Sequence, residues 1–262
     1  MKFLPIHIDA LHGFGYTEEE TRFLYLVATH SGYFTCQQFL HFIQTKPGKR
    51  SVAFAQKVIE KKHAKTKPYL RHGRVFHLFS RNLYEAIGRE NVRFRRVHST
   101  QYIRMRLIAL DFVLRDQDVT YLETEEQKLT FFCDQMGIAK KILPHKRYSG
   151  AIKGQFTDRY FVDKFPMFYN PSVSLPPVVT LSFIDPGFES MESFMTSSLE
   201  QQTCSSNYTT PSPGVVIDSK GTMVKPELEV LPSLWSSLTP QLQSECWKSW
   251  LLARAQVLSP LE

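Results

Sequence analysis

Two helix-start signals of the same kind, with a glycine between them and a proline-glycine break after the second, narrow what the stretch from Thr17 to Gly88 can become. Thr17-Glu18-Glu19-Glu20 and Thr35-Cys36-Gln37-Gln38 both have capping-box spacing. In that motif a threonine oxygen and a side chain three residues on satisfy each other's exposed backbone amides. A helix opening at Thr17 carries Phe23, Leu26, Val27 and His30 on its apolar side and stops at Gly32. A second, opening at Thr35, turns Phe39, Leu40 and Phe42 or Ile43 inward and stops at Lys46-Pro47-Gly48. Met1 to Tyr16 shows no clear period and reads as an arm packing on the helices after it.

Lys49 to Ala64 is expected to be a third helix, with Val52, Ala55, Val58 and Ile59 on one side. Lys57, Lys61 and Lys65 follow at four-residue intervals, with Arg50 seven residues back, so cations are expected on the solvent side. An ordinary solvated face has the same look. The next segment favours a ligand. Pro68-Tyr69-Leu70-Arg71 and Arg74-Val75-Phe76-His77-Leu78-Phe79 are strand-like, and His72-Gly73 between them is hairpin chemistry. Arg71, His72 and Arg74 then sit at the tip. Leu83, Tyr84 and Ile87 belong to a short helix, and Arg89 to Arg96 is a basic connector.

Charge follows the same boundary. From Lys46 to Arg106 there are seventeen Lys and Arg against three acids, Glu60, Glu85 and Glu90, whereas the rest of the chain is net acidic although the whole carries +7. One basic block in an acidic protein is the footprint of a localised anionic partner.

Helix, turn, basic helix and basic-tipped hairpin, then a short helix at Ser80 to Ile87 and a long one opening near His98, resemble the replication-relaxation winged-helix proteins of bacterial plasmids and mobile elements. The resemblance covers roughly residues 17–115 and lies in element order. It implies DNA binding in the replication, mobilisation or regulation of such an element.

Beyond it, residues 98–115 form a long helix with Tyr102, Met105, Ile108, Ala109, Phe112 and Val113 on a broad apolar face. A strand follows at Val119 to Leu122. Thr124-Glu125-Glu126-Gln127 is a third capping box, for a helix bearing Leu129, Phe132 and Met136 and ending at Gly137. After a basic loop, Lys140 to Lys153, come strand candidates 159–163 and 178–185. Residues 189–233 are rich in Ser, Thr, Pro and Gln and read as loop or disorder; Gln241 to Val257, with Trp247, Trp250 and Leu251, reads as a final helix. The expected fold class is α+β in three parts: a winged helix over 1–96, a connecting helix and small α/β domain over 97–188, and a tail over 189–262.

The expected function is binding of double-stranded DNA without catalysis, with Lys49, Arg50, Ser51, Gln56, Lys57, Lys61, Lys65, Arg71, His72 and Arg74 at the interface. Lys57, Lys61 and Arg74 would hold phosphates, and Ser51 and Gln56 would face base edges. No cofactor or metal is expected, and a second copy of the chain is a candidate partner. Cys36, Cys133, Cys204 and Cys246 are scattered and read as free thiols of a reducing compartment, here the cytoplasm. Neither a signal peptide nor a membrane-spanning run is seen. Two rival readings are carried. One is a metal-dependent nuclease using Asp163 and Asp185, weakened because Asp185-Pro186-Gly187 lacks the lysine such sites place after the second acid. The other is a winged helix whose basic face docks an acidic protein.

Overall fold

Helical structure begins earlier than the apolar pattern suggests. In the computed structural model, which describes residues 3–69, 73–150, 155–161, 165–170, 179–184, 215–217 and 223–224, residues of the expected N-terminal arm form α1 (Pro5–His12). Pro5 occupies its first turn, where an amide has no helical partner anyway. Only Leu11 of α1 is buried, so its two turns carry no readable period.

α2 (Glu18–His30) is launched by a closed capping box: Thr17 Oγ1 accepts the Glu20 amide at 3.3 Å, and Glu20 Oε2 accepts the Thr17 amide at 2.9 Å. From Glu20 to His30 every residue except Arg22 is buried. The expected one-sided face is therefore too narrow, because neighbours cover α2 all round. β1 (Tyr33–Phe34) follows a left-handed Gly32, φ +78°. A Cβ there would lie 2.5 Å from the Phe94 Cβ, so a close crossing as well as the backbone conformation requires glycine.

α3 (Cys36–Phe42) has its own closed box between Thr35 and Gln38. α4 (Lys49–Glu60) is shorter than expected, since Lys62 takes φ +56° and the His63 amide reaches back to the Val58 carbonyl at 3.0 Å. Its stop is thus a left-handed lysine where glycine is usual. Phe23, at the centre of the helices, meets Phe34, Phe39 and Phe54 edge-on at 5.5, 5.2 and 5.8 Å. Each such fully buried ring stabilises the fold by roughly 2–3 kcal/mol.

β2 (Ala64–Tyr69) and β3 (Gly73–Leu78) form an antiparallel hairpin paired from Ala64–Leu78 to Tyr69–Gly73. The strand-to-strand connection is thus residues 70–72, not the two residues expected, and Arg71 and His72 lie outside the described residues. β1 pairs antiparallel with the other side of β3, giving the order β1-β3-β2. α5 (Arg81–Ala86) and a short 3-10 turn, Arg93–Arg95, lead to α6 (Thr100–Arg115), whose amide at Tyr102 is capped by Ser99. α6 is buried on several sides because it packs against α2, β1 and α3, and further along against a later strand. Gln38 ties α3 to it, donating at 3.0 Å to both the Leu107 carbonyl and Asp111 Oδ1.

The remainder is a second β-rich part. β4 (Thr120–Tyr121) precedes α7 (Glu125–Leu129), capped by the expected box at Thr124 and continuing as a π-turn through Gln135. β5 (His145–Ser149) and β6 (Phe156–Tyr160) pair antiparallel, so part of the expected basic loop is strand. β7 (Met167–Tyr169), β8 (Val179–Ile184), β9 (Val215–Ile217) and β10 (Met223–Val224) join β4 in a sheet ordered β10-β9-β8-β7-β4, antiparallel except for β8–β9. Two short strands therefore fall in the segment expected to be loop or disorder. The expected final helix lies outside the described residues. The chain is mixed α+β, and one continuous core runs from Leu11 through α2 and α6 to Phe168 and Ile184. Among the described residues no helix is long and apolar enough to cross a membrane.

Candidate nucleic-acid interface

α4 sorts its residues by the 3.6-residue turn. Ser51, Phe54, Ala55 and Val58 face the core. Lys49, Val52, Ala53, Gln56 and Glu60 lie opposite and are exposed. Two sequence expectations are corrected here. Val52 is 64% exposed and Ile59 40%, whereas Ser51, expected at a base edge, is buried with its hydroxyl donating to the Gly48 carbonyl at 3.1 Å. A serine that satisfies its own oxygen locally can occupy a core position that pattern reasoning reserves for apolar side chains.

The expected line of cations on the solvent face is also redistributed. Arg50 and Lys57 lie on the flank beside α2, where Arg50 pairs with Glu19 and Lys57 Nζ lies 2.6 Å from Glu20 Oε2. Lys57 also sits over the Tyr16 ring at 5.8 Å. Lys61 caps the end of α4, 5.9 Å from the same ring, and Lys65 is on β2, over Phe79 at 5.4 Å. Three lysines in helical register thus belong to a helix, its cap and a strand. Tyr16 is itself fixed from below, its hydroxyl 2.7 Å from His63 Nδ1, and burial pushes its pKa far above the usual phenol range.

What remains outward is a set of exposed cations at the ends of α4 and along the hairpin. Lys46, Lys49, Lys61, Lys62, Lys65 and Arg74 are all exposed. Lys67, half-buried, donates to the His98 carbonyl at 3.2 Å and joins the hairpin to the connector. Gln56 is exposed, with Nε2 donating to Glu60 Oε1 at 2.7 Å.

The connector is only partly a surface element. Arg93 and Arg96 are exposed, but Arg89 is buried and Arg95 donates to the Glu90 carbonyl. Phe94 turns inward: its carbonyl meets His77 Nε2 at 2.9 Å, and the Arg106 guanidinium lies 4.2 Å from its ring centre. His77 stacks on Tyr33 at 4.4 Å. Burial, with Lys65, His98 and Lys67 nearby, lowers its pKa to about 4, so it is a neutral donor to Phe94.

A buried polar cluster lies away from α4. Glu123, two residues past β4, accepts from Arg89 and, at 2.6 Å, from the Tyr25 hydroxyl, and His30 Nε2 lies 3.7 Å from its other oxygen. His30 and Arg89, both interior, hold the Glu123 carboxyl below the usual range, while burial lowers the pKa of His30. Nothing in the local sequence of Arg89 or Glu123 pointed to this pairing, which joins segments far apart in the chain.

Asp163 and Asp185 lie outside the described residues, as do Cys204 and Cys246. Cys36 and Cys133 are free thiols, and burial raises the pKa of Cys36. Among the described residues no group of three or more His, Cys, Asp and Glu is placed to hold a metal ion. Compared with protein-family models, with curated proteins and with solved structures, the chain matches none.

Proposed function

We propose that this protein binds duplex DNA through a winged helix made of α2, β1, α3, α4 and the β2–β3 hairpin, with α4 as the recognition helix and the hairpin as the wing. The element order supports the reading, and so does the pairing of β1 with β3 that ties the strand after the first helix to the wing. The observation that carries it is the grouping of exposed cations: Lys46 and Lys49 at one end of α4, Lys61 and Lys62 at the other, and Lys65 and Arg74 on the hairpin. Such a frame suits phosphates on either side of an inserted helix. The resemblance in element order extends the proposal to a role in the replication, mobilisation or regulation of a plasmid or mobile element.

The test is titration of the full chain with a random 30-base-pair duplex at 50, 100 and 200 mM salt. With about six phosphate contacts, affinity falls on the order of 10³-fold across that range. Salt-insensitive binding, or none at 50 mM, removes the proposal. Exposed Val52 and Ile59 favour a second reading, in which α4 docks a protein; capture of a partner with no measurable duplex binding would select it.

A further inference from the structure

The outward face of α4 has a composition that does not suit water. Among the described residues Val52 and Ile59 are two of the few large apolar side chains exposed, and Ala53 and Gln56 are exposed beside them. The helix face opposite a core ordinarily carries charge. Here Arg50 and Lys57 are turned aside onto Glu19 and Glu20, so between Lys49 at one end and Glu60 at the other the face presents apolar side chains and one carboxamide. Resting on the duplex-binding reading, we propose that this face reads A·T base pairs in the major groove. Val52 and Ala53 pack on thymine methyl groups, and Gln56 pairs with adenine.

Dimensions and charge fix the occupant. The twelve residues of α4 span about 18 Å at the helical rise, against a major groove ~12 Å wide. Lys49 at the first residue and Lys61 and Lys62 past the last therefore reach the bordering backbones while the centre formed by Val52, Ala53 and Gln56 meets base edges, the Glu60 carboxylate staying on the Gln56 amide. That centre has no cation with which to grip guanine, whose O6 and N7 are both acceptors.

Gln56 is already oriented for its task. The Glu60 carboxylate can only accept, so the nitrogen end of the carboxamide is the end that faces it, at 2.7 Å. One amide hydrogen is used in that bond. Oε1 and the second hydrogen remain as an acceptor and a donor, the two kinds of group that adenine N6 and N7 require.

The experiment titrates the full chain against four 30-base-pair duplexes of alternating sequence at low salt: A–T, A–U, G–C and I–C. Inosine–cytosine has the minor-groove face of A·T and a major-groove face like that of G·C, while A–U lacks only the thymine methyl. The A–T duplex should bind most tightly, and A–U weaker by about fourfold for each thymine methyl taken from the interface. Val52→Ala, at an exposed site, should shrink the A–T to A–U ratio. Gln56→Ala should narrow the gap between A–U and I–C. Equal binding of A–T and A–U overturns the methyl reading while salt-dependent binding of all four leaves the protein a duplex binder. A–T and I–C bound alike, both above G–C, would move recognition to the minor groove and also overturn it. No binding to any duplex removes both this proposal and the reading beneath it.

Discussion

Lys57 Nζ lies 2.6 Å from Glu20 Oε2, and that same oxygen accepts the Thr17 amide at 2.9 Å. One carboxylate oxygen therefore closes the cap of α2 and anchors the flank of α4. The cation that looked best placed for phosphate is already engaged inside the protein. Its removal is a question of stability before it is one of ligand.

Lys57→Ala should lower stability by about 1 kcal/mol, the range of a half-exposed pair with added ring contact, and leave the salt slope of DNA binding nearly unchanged. Lys49→Ala and Arg74→Ala should behave in the opposite way, each lowering the slope by about one unit with little effect on the melting transition. Urea midpoints and titrations at three salt concentrations check both halves. A Lys57 variant that loses a full unit of slope would place that lysine on the DNA.

Ser51→Ala should leave base discrimination as it was, since the hydroxyl is buried on the Gly48 carbonyl. Gln56→Ala should relax it by roughly 1–3 kcal/mol. Binding to selected and scrambled duplexes separates them, and a loss of discrimination on removing the Ser51 hydroxyl would mean that α4 turns Ser51 toward the DNA and not toward the core.

Gly32→Ala places a Cβ where Phe94 lies and keeps a non-glycine residue left-handed. The expected cost is at least ~2 kcal/mol, read as a lowered urea midpoint with unchanged m. A cost under about 0.5 kcal/mol would show that the 89–98 segment does not cross β1 at this distance.

Protonation of His77 in the folded protein is suppressed to about pH 4, whereas in the unfolded chain it titrates near 6.5. Its folded pKa is the lower, so the unfolded state binds the proton first. The stability it contributes is complete above pH 6.5 and is lost as pH falls from there to about 4. The slope in that window is about 1.4 kcal/mol per pH unit, and buried His30 acts in the same direction. His77→Gln should remove one histidine's share of the slope between pH 6.5 and 4. An identical pH profile would mean that His77 ionises freely in the folded state.

The Glu123 cluster makes a stability prediction of its own. Glu123→Gln strips Arg89 of its counter-charge in a site where both side chains are under a tenth exposed, which typically costs about 3–5 kcal/mol. Calorimetry of the single variant and of Glu123→Gln with Arg89→Met distinguishes a broken pair from a generally fragile site: the double variant should recover part of the loss.

Features that depend on a few neighbouring residues were legible in the sequence. The three capping boxes at Thr17, Thr35 and Thr124 form as their spacing requires, and the apolar face of α6 is buried or half-buried along its length. Orientation of α4 was not legible. Val52 and Ile59 have the same helical spacing to Val58 and Ala55 as a core residue would, and the buried Ser51 looks polar until its bond to Gly48 is known. The end of α4 was misplaced because Lys62 adopts the conformation normally marked by glycine. Charge counting overstated the free cations, since Glu19, Glu20 and Glu123 lie outside the basic block in sequence and meet Arg50, Lys57 and Arg89 only in the folded chain.

Pro68 carries a consequence for assembly. It lies in β2, the outer strand of the β1-β3-β2 sheet, and has no amide hydrogen with which to extend a ladder. Lys65 and Lys67 alternate with it along the same strand. A neighbouring molecule adding a strand there would leave one rung unmade and bring like charges together, so this margin is guarded against runaway strand-by-strand growth into fibrils.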